Sequence, residues 1–181
     1  VTRPASDTRQ RIQDVARELF TQKGVQRTSL QDIANRLGIT KPALYYHFSS
    51  REELVRSILQ PLIDEGEAFV AGHERQRGSA RARRRELLEG YFDFHFKHRA
   101  DLVLIVEELT TLADLGLIDT MLAWRNRLSK LVFGSRPTLR QSTRAVIAFG
   151  GLQDCCLHFP DAPYAQLRKA AVDGAMAALG P

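Results

Sequence analysis

The stretch LQDIANRLGITKPALYYHF, residues 30–48, contains two helix-length segments separated at Gly38. In the first, Leu30, Ile33, Ala34 and Leu37 recur at the spacing of one helical face. Thr28-x-x-Gln31 reads as a capping-box start, and Gly38 as the stop. Only Ile39 and Thr40 precede the next segment, which is a tight helix–turn–helix spacing. Thr40 is a natural N-cap. Pro42 falls in the first turn, where its missing N–H costs nothing.

On a helix of about 100° per residue, Leu44 and Phe48 share one face and Pro42 and Tyr46 lie opposite. Ala43 and Tyr45 flank that outer face, Lys41 is in the first turn and His47 is near the end. The segment therefore buries two residues and shows a row of polar-tipped rings, as the second helix of such a pair does when it enters a major groove. Tyrosine hydroxyls, histidine and lysine can bond phosphates, and the Pro42 ring and Ala43 methyl can meet a thymine methyl. The competing reading is that Tyr45 and Tyr46 pack under another helix.

Charge favours the first reading. Residues 1–51 hold nine Lys and Arg against four Asp and Glu, while the remainder holds 17 of each. The whole excess of +5 therefore sits in the first quarter of the chain, which points to a polyanion as partner.

Working outward, Ile12, Val15, Ala16, Leu19 and Phe20 form an apolar stripe over 8–23, ended by Gly24. Ser50-x-x-Glu53 caps a fourth helix running to about Ala71, with Pro61 inside it. Residues 72–85 bring Gly72, Gly78, Ser79 and a run of arginines, read as a solvated connector. Further helices are expected at about 80–98, 101–112, 117–133, 138–158 and 163–179. The expected fold is all-α, with about nine helices.

Residues 8–54 closely resemble the DNA-binding domain of TetR-family transcriptional regulators. The resemblance rests on Ile12-x-x-Val15-Ala16-x-x-Leu19-Phe20 to Gly24, then Thr28-Ser29-Leu30-Gln31-Asp32-Ile33-Ala34-x-x-Leu37-Gly38-Ile39. It continues through Lys41-x-x-Leu44-Tyr45-Tyr46-His47-Phe48 and Ser50-x-Glu52-Glu53-Leu54. It implies a three-helix helix–turn–helix domain over 1–54 and a helical regulatory and dimerisation domain over 55–181. It also implies that Ser29, Gln31, Thr40, Lys41, Pro42, Ala43 and Tyr45 face bases or adjacent phosphates, and that Tyr46 and His47 hold phosphates. Arg51 stands where the family often has lysine and would bond a phosphate at a helix N-terminus. Gln31 has the alternative role of capping partner to Thr28. Pro42 replaces a frequent glycine, so base preference does not transfer from relatives.

For the C-terminal half the resemblance is architectural. It implies dimerisation through the last two helices and an inducer cavity. Val146, Gly150, Ala171 and Ala175 are the candidate dimer residues, with packing inside one subunit as the alternative. Tyr91, Phe94, His95 and Trp124 are the candidate lining of a pocket for a small hydrophobic effector, with a packed core as the alternative. His95 and His98 have no recognisable third ligand, so no metal is expected, and no cofactor. Cys155 and Cys156 read as small apolar helix residues, with a redox switch or an intersubunit disulfide as the alternative.

No nucleophile elbow, phosphate-cradling glycine loop or membrane-length apolar run is present, so neither an enzyme nor a membrane protein is expected. A cytoplasmic address is the expectation. The expected function is a repressor that binds a palindromic operator as a homodimer and is released by a small molecule. A constitutive DNA-binding regulator without an inducer is the alternative.

Overall fold

Helix α1 (Ala5–Lys23) buries Ile12, Ala16 and Phe20 completely, and Gly24 ends it with a positive φ of 81°. The structure is a computed structural model that describes residues 5–76, 80–102, 113 and 116–180. Helices α2 (Leu30–Leu37), α3 (Lys41–His47) and α4 (Arg51–Arg75) follow α1. The later ones are α5 (Ala80–Lys97), α6 (Leu117–Phe133), α7 (Leu139–His158) and α8 (Tyr164–Leu179). Among the described residues there is no strand, and no helix is long and apolar enough to cross a membrane. The helix expected over 101–112 lies outside the described residues beyond Leu102, as do Gly78 and Ser79 of the connector.

The chain divides into two units. One is Val1–Leu62 with Val103–Leu117, and the other is Ile63–Leu102 with Ile118–Pro181. The division falls inside α4.

In the first unit, α2 begins one residue later than the sequence suggests. Ser29, not Thr28, is the N-cap: its hydroxyl accepts from the Asp32 N–H, and the Asp32 carboxylate accepts from the Ser29 N–H at 2.9 Å. Thr28 is fully buried instead, and its hydroxyl contacts Gly24 O at 2.9 Å, just past the end of α1, and more distantly Leu19 O in its last turn at 3.4 Å. Asp can close a capping box as Glu or Gln does, so the motif slid one residue, and the buried position went to the side chain that satisfies α1.

Gly38 takes φ 67° and donates to Ala34 O and Asn35 O, while the Ile39 N–H reaches Ala34 O at 3.1 Å. That six-to-one bond needs a left-handed residue, which glycine adopts without a Cβ penalty. It turns the chain into Thr40, whose hydroxyl caps α3 at the Ala43 N–H. Leu44 and Phe48 are then fully buried.

Helix α4 begins under Ser50, whose hydroxyl accepts from the Glu53 N–H, and runs to Arg75, past the expected end at Ala71. Pro61 lies within it. A proline has no N–H, so the carbonyl four residues earlier loses its helical donor. That carbonyl is Ser57 O. Gln13 of α1 supplies the missing donor, with Nε2 at 3.3 Å from Ser57 O and 3.0 Å from Ser57 Oγ.

In the second unit, α5, α7 and α8 pack on one another around Leu88, Phe92, Phe149, Leu152, Val172 and Leu179. Charged pairs edge this core. Arg168 bonds Asp93 at 2.7 Å and Glu89 at 3.3 Å, and Arg85 meets Asp173 at 2.8 Å. Arg127 of α6 holds both Glu67 and Glu74. At Gly66 a Cβ would stand 2.5 Å from the Trp124 ring, so the indole occupies the space that the missing side chain leaves.

Thr28→Val keeps the shape of the side chain but removes the hydroxyl proton that Gly24 O and Leu19 O share. Urea unfolding is expected to show a loss of about 1–3 kcal/mol, with Thr28→Ser losing less. An unchanged midpoint would show that water or a shifted loop satisfies those carbonyls.

Candidate functional site

The outer face of α3 is open. Lys41, Pro42 and Ala43 are exposed, Tyr45 is 44% exposed and Tyr46 is 84% exposed. His47 is half-buried and sits edge-on to Tyr46, ring centroids 5.3 Å apart. The Lys41 ammonium lies 5.6 Å from the Tyr45 ring centroid, a cation–π distance that gathers the two side chains on one flank.

A notch of about 370 Å³ opens between α2, α3 and the start of α4. It brings together Ser29, Gln31, Lys41, Tyr45 and Arg51. Thr40, Pro42, Ala43, Tyr46 and His47 do not line it. Apart from the Thr40 cap, these follow the helix away from the notch.

Several of these groups already have partners. Ser29 Oγ donates to Asp32 at 2.8 Å while it caps α2, so it cannot donate to a phosphate without releasing Asp32. The Ser29 backbone N–H and then its hydroxyl hold the Asp32 carboxyl below the usual carboxylate range. One Gln31 N–H goes to Asn35 at 2.8 Å. The Arg51 guanidinium crosses to the α1–α2 loop, where it donates to Val25 O, Gln26 O and Gln26 Oε1 at 3.1–3.3 Å. Its contact with that loop spans about 25 positions in the chain, and no local sequence pattern signals it.

In the second unit, Tyr91, Phe94 and His95 form one cluster with Phe69. The Tyr91 and His95 rings are 4.0 Å apart, Tyr91 meets Phe149 edge-on at 4.9 Å, and Phe94 stacks on Phe69 at 6.3 Å. Burial pushes the Tyr91 phenol well above its ordinary value, partly offset by Arg125 beside it. Trp124 is held by other partners, with its indole N–H on Glu67 at 3.0 Å and its ring over Gly66. Among the described residues no His, Cys, Asp and Glu cluster could hold a metal.

A second concave surface, of about 560 Å³, lies along α7 and α8. Ala171 and Ala175 line it, with Ile147, Gly151, Leu152, Cys155 and Phe159. Ile147 is 63% exposed and Val146 also points to solvent. Gly150 does not line the surface. It faces Arg125, whose Nη2 would be 3.9 Å from an added Cβ. Burial pushes the neighbouring Cys156 thiol up to about 12, so it stays a protonated, apolar packing group.

The geometry agrees with known proteins. The family of bacterial regulatory proteins described as tetR matches residues 12–58. Residues 12–58 thus match the TetR family. A transcriptional activator, FasR of Mycolicibacterium smegmatis, is 35% identical over 91 residues, which is 50% of this chain and 42% of FasR. A transcriptional repressor of the same organism, KstR2, is 31% identical over 122 residues, covering 65% of this chain and 57% of KstR2. The chain thus spans about half the length of these curated relatives. Among solved structures, Mycobacterium smegmatis AmtR superposes with a TM-score of 0.78 at 23% identity, covering 99% of this chain and 89% of AmtR. The ketosteroid regulator KstR2 of Mycobacterium tuberculosis gives 0.73 at 21%, covering 96% and 93%. These two show that the TetR-type fold extends through the C-terminal helices.

His95 tests how the aromatic cluster is held. Burial lowers its pKa from 6.5 to about 4, so the folded protein keeps it neutral. Its Nδ1 then carries the proton and donates to Tyr91 O at 2.9 Å. The unfolded chain takes up a proton near pH 6.5 that the folded chain refuses until about 4. This contribution is therefore complete above pH 6.5 and is lost as pH falls from there to about 4. Urea unfolding of His95→Phe is expected to show a flatter pH dependence across that window than the wild-type protein.

Proposed function

We propose that this protein is a sequence-specific DNA-binding transcriptional regulator of the TetR family. It binds a palindromic operator as a homodimer, represses transcription and is released by a small hydrophobic molecule. The observation that carries the reading is the open face of α3: Lys41, Pro42, Ala43, Tyr45 and Tyr46 are exposed on a capped seven-residue helix whose other side is buried. In this reading Lys41, Pro42, Ala43 and Tyr45 meet base edges, with Ser29, Gln31 and Thr40 at the margin of the contact. Tyr46 and His47 hold phosphates, and Arg51 approaches the backbone at the start of α4.

Dimerisation rests on the apolar surface of α7 and α8, where exposed Ile147 and Val146 stand beside small residues that admit a partner helix. Two heads related by a two-fold axis suit a palindrome. The effector site is assigned to the region of the Tyr91, Phe94 and His95 cluster, with Trp124, held on Glu67 and Gly66, as a further candidate. An effector that prefers one spacing of the two heads would take them out of register with successive major grooves. The names of the relatives include both an activator and a repressor. The regulated promoter must therefore give the sign.

Selection of bound duplexes from a random pool, repeated with a panel of hydrophobic metabolites, tests the reading as a whole. Enrichment of an inverted repeat is expected, with release by some member of the panel. Tyr46→Ala should weaken binding to all sequences. Lys41→Ala should change base preference and, where it meets a phosphate, lower the salt slope by about 0.9. A pool that stays random would sink the proposal. Ile147→Glu is expected to give a monomer by sedimentation, with affinity for the full repeat lost and that for a half-site kept. A variant that remains dimeric would move the interface elsewhere.

A further inference from the structure

Two contacts and one charge effect converge where α3 turns into α4, and all involve Arg9, half-buried on α1. Its Nη1 donates to His47 O at 2.7 Å. His47 is the last residue of α3, so this carbonyl is one that the helix leaves without an internal donor. The Arg9 guanidinium also lies 4.1 Å from the ring centroid of Phe48, the buried C-cap that anchors the helix. Its charge further helps hold the Glu53 carboxyl low, behind the larger effects of the Ser49 hydroxyl and N–H that Glu53 binds. One side chain thus bonds the final carbonyl and stacks on the anchor ring, and its charge favours the acid that Ser49 ties at the corner.

We propose that Arg9 is a positioning residue for the recognition surface, fixing the C-terminal end of α3 and thereby the tilt at which Lys41 to Tyr46 are presented, without contacting DNA itself. The N-terminal end of α3 is set locally by Gly38 and Thr40. The C-terminal end has no side-chain cap of its own beyond the Phe48 N–H bond to Leu44 O. A helix pinned at one end can pivot, and a pivot moves base-contacting side chains more than it changes the number of phosphates neutralised. Arg9 therefore acts on the choice among sequences. Its positive charge belongs to the basic excess of the N-terminal quarter, but its flat face and one Nη1 donor are engaged inside the protein, on Phe48 and His47 O.

This inference rests on the DNA-binding reading, and the test separates the two. Arg9→Met and Arg9→Lys are made in the full chain. Each is titrated, over a series of KCl concentrations, with a duplex that the wild-type protein recovers from a random pool and with a shuffled duplex of the same length. Circular dichroism follows folding at the assay temperature. For Arg9→Met a loss of about tenfold is expected on the selected duplex, the scale of one charge-assisted hydrogen bond. Affinity for the shuffled duplex, the salt slope and the helicity should stay unchanged. Arg9→Lys keeps the charge but not the planar stack, so it should show a smaller loss at the same slope.

A slope lowered by about 0.9 in Arg9→Met, with equal losses on both duplexes and wild-type behaviour in Arg9→Lys, would make Arg9 a phosphate contact and overturn the proposal. Equal losses at an unchanged slope would reduce Arg9 to general stability, and no loss on either duplex would remove its role. If Arg9→Met does not fold, Arg9→Lys decides: wild-type affinity and selectivity overturn the proposal. A wild-type protein that binds the two duplexes equally would instead defeat the DNA-recognition reading, leaving nothing for Arg9 to position.

Discussion

Seven residues are too few to hold a helix in water, because nucleation fixes several dihedral angles before the hydrogen bonds compensate. Helix α3 is that short, and the candidate DNA surface is its outer face. It persists because Leu44 and Phe48 are withdrawn from water and both of its ends are held. The left-handed turn at Gly38 and the Thr40 hydroxyl fix the start, and the Arg9 bond to His47 O fixes the finish. The first unit can be understood as the set of supports this short helix needs.

That requirement changes the meaning of the basic composition. The N-terminal excess of charge describes a field, and a field attracts a polyanion. Yet some of the cations that make it are engaged internally. Arg51 closes the α1–α2 loop onto the start of α4, and Arg9 closes the α3–α4 corner. A guanidinium suits such corners because its flat fork can bond a carbonyl and lie on a ring together. Net charge alone would overstate the number of groups available to phosphates.

The second unit is built differently. Its helices are long, its aromatic rings interlock, and the buried His95 is kept neutral by lack of water. The small residues that the sequence offers on α7 divide by direction. Gly151 lines the apolar surface beside Ala171 and Ala175, while Gly150 faces Arg125. Adjacent positions on a helix point about 100° apart, so the two glycines of the pair face different neighbours.

The all-α character, the helix–turn–helix spacing, the stop at Gly38, the cap at Thr40 and the division of 39–48 into anchors and outer rings were all determined by the sequence itself. These are local properties: periodicity, caps and turn residues act within a few positions. Only the tertiary structure decided that Thr28 is buried to satisfy α1, that Ser29 takes over as N-cap, that Gln13 repairs the gap left by Pro61, and that Arg9 and Arg51 hold the corners. The reason is physical. A capping box can slide by one residue at little local cost, and an unsatisfied carbonyl can draw its donor from any part of the chain. The partner is therefore settled by which side chain the fold brings within 3 Å or so, across separations that no sequence pattern encodes.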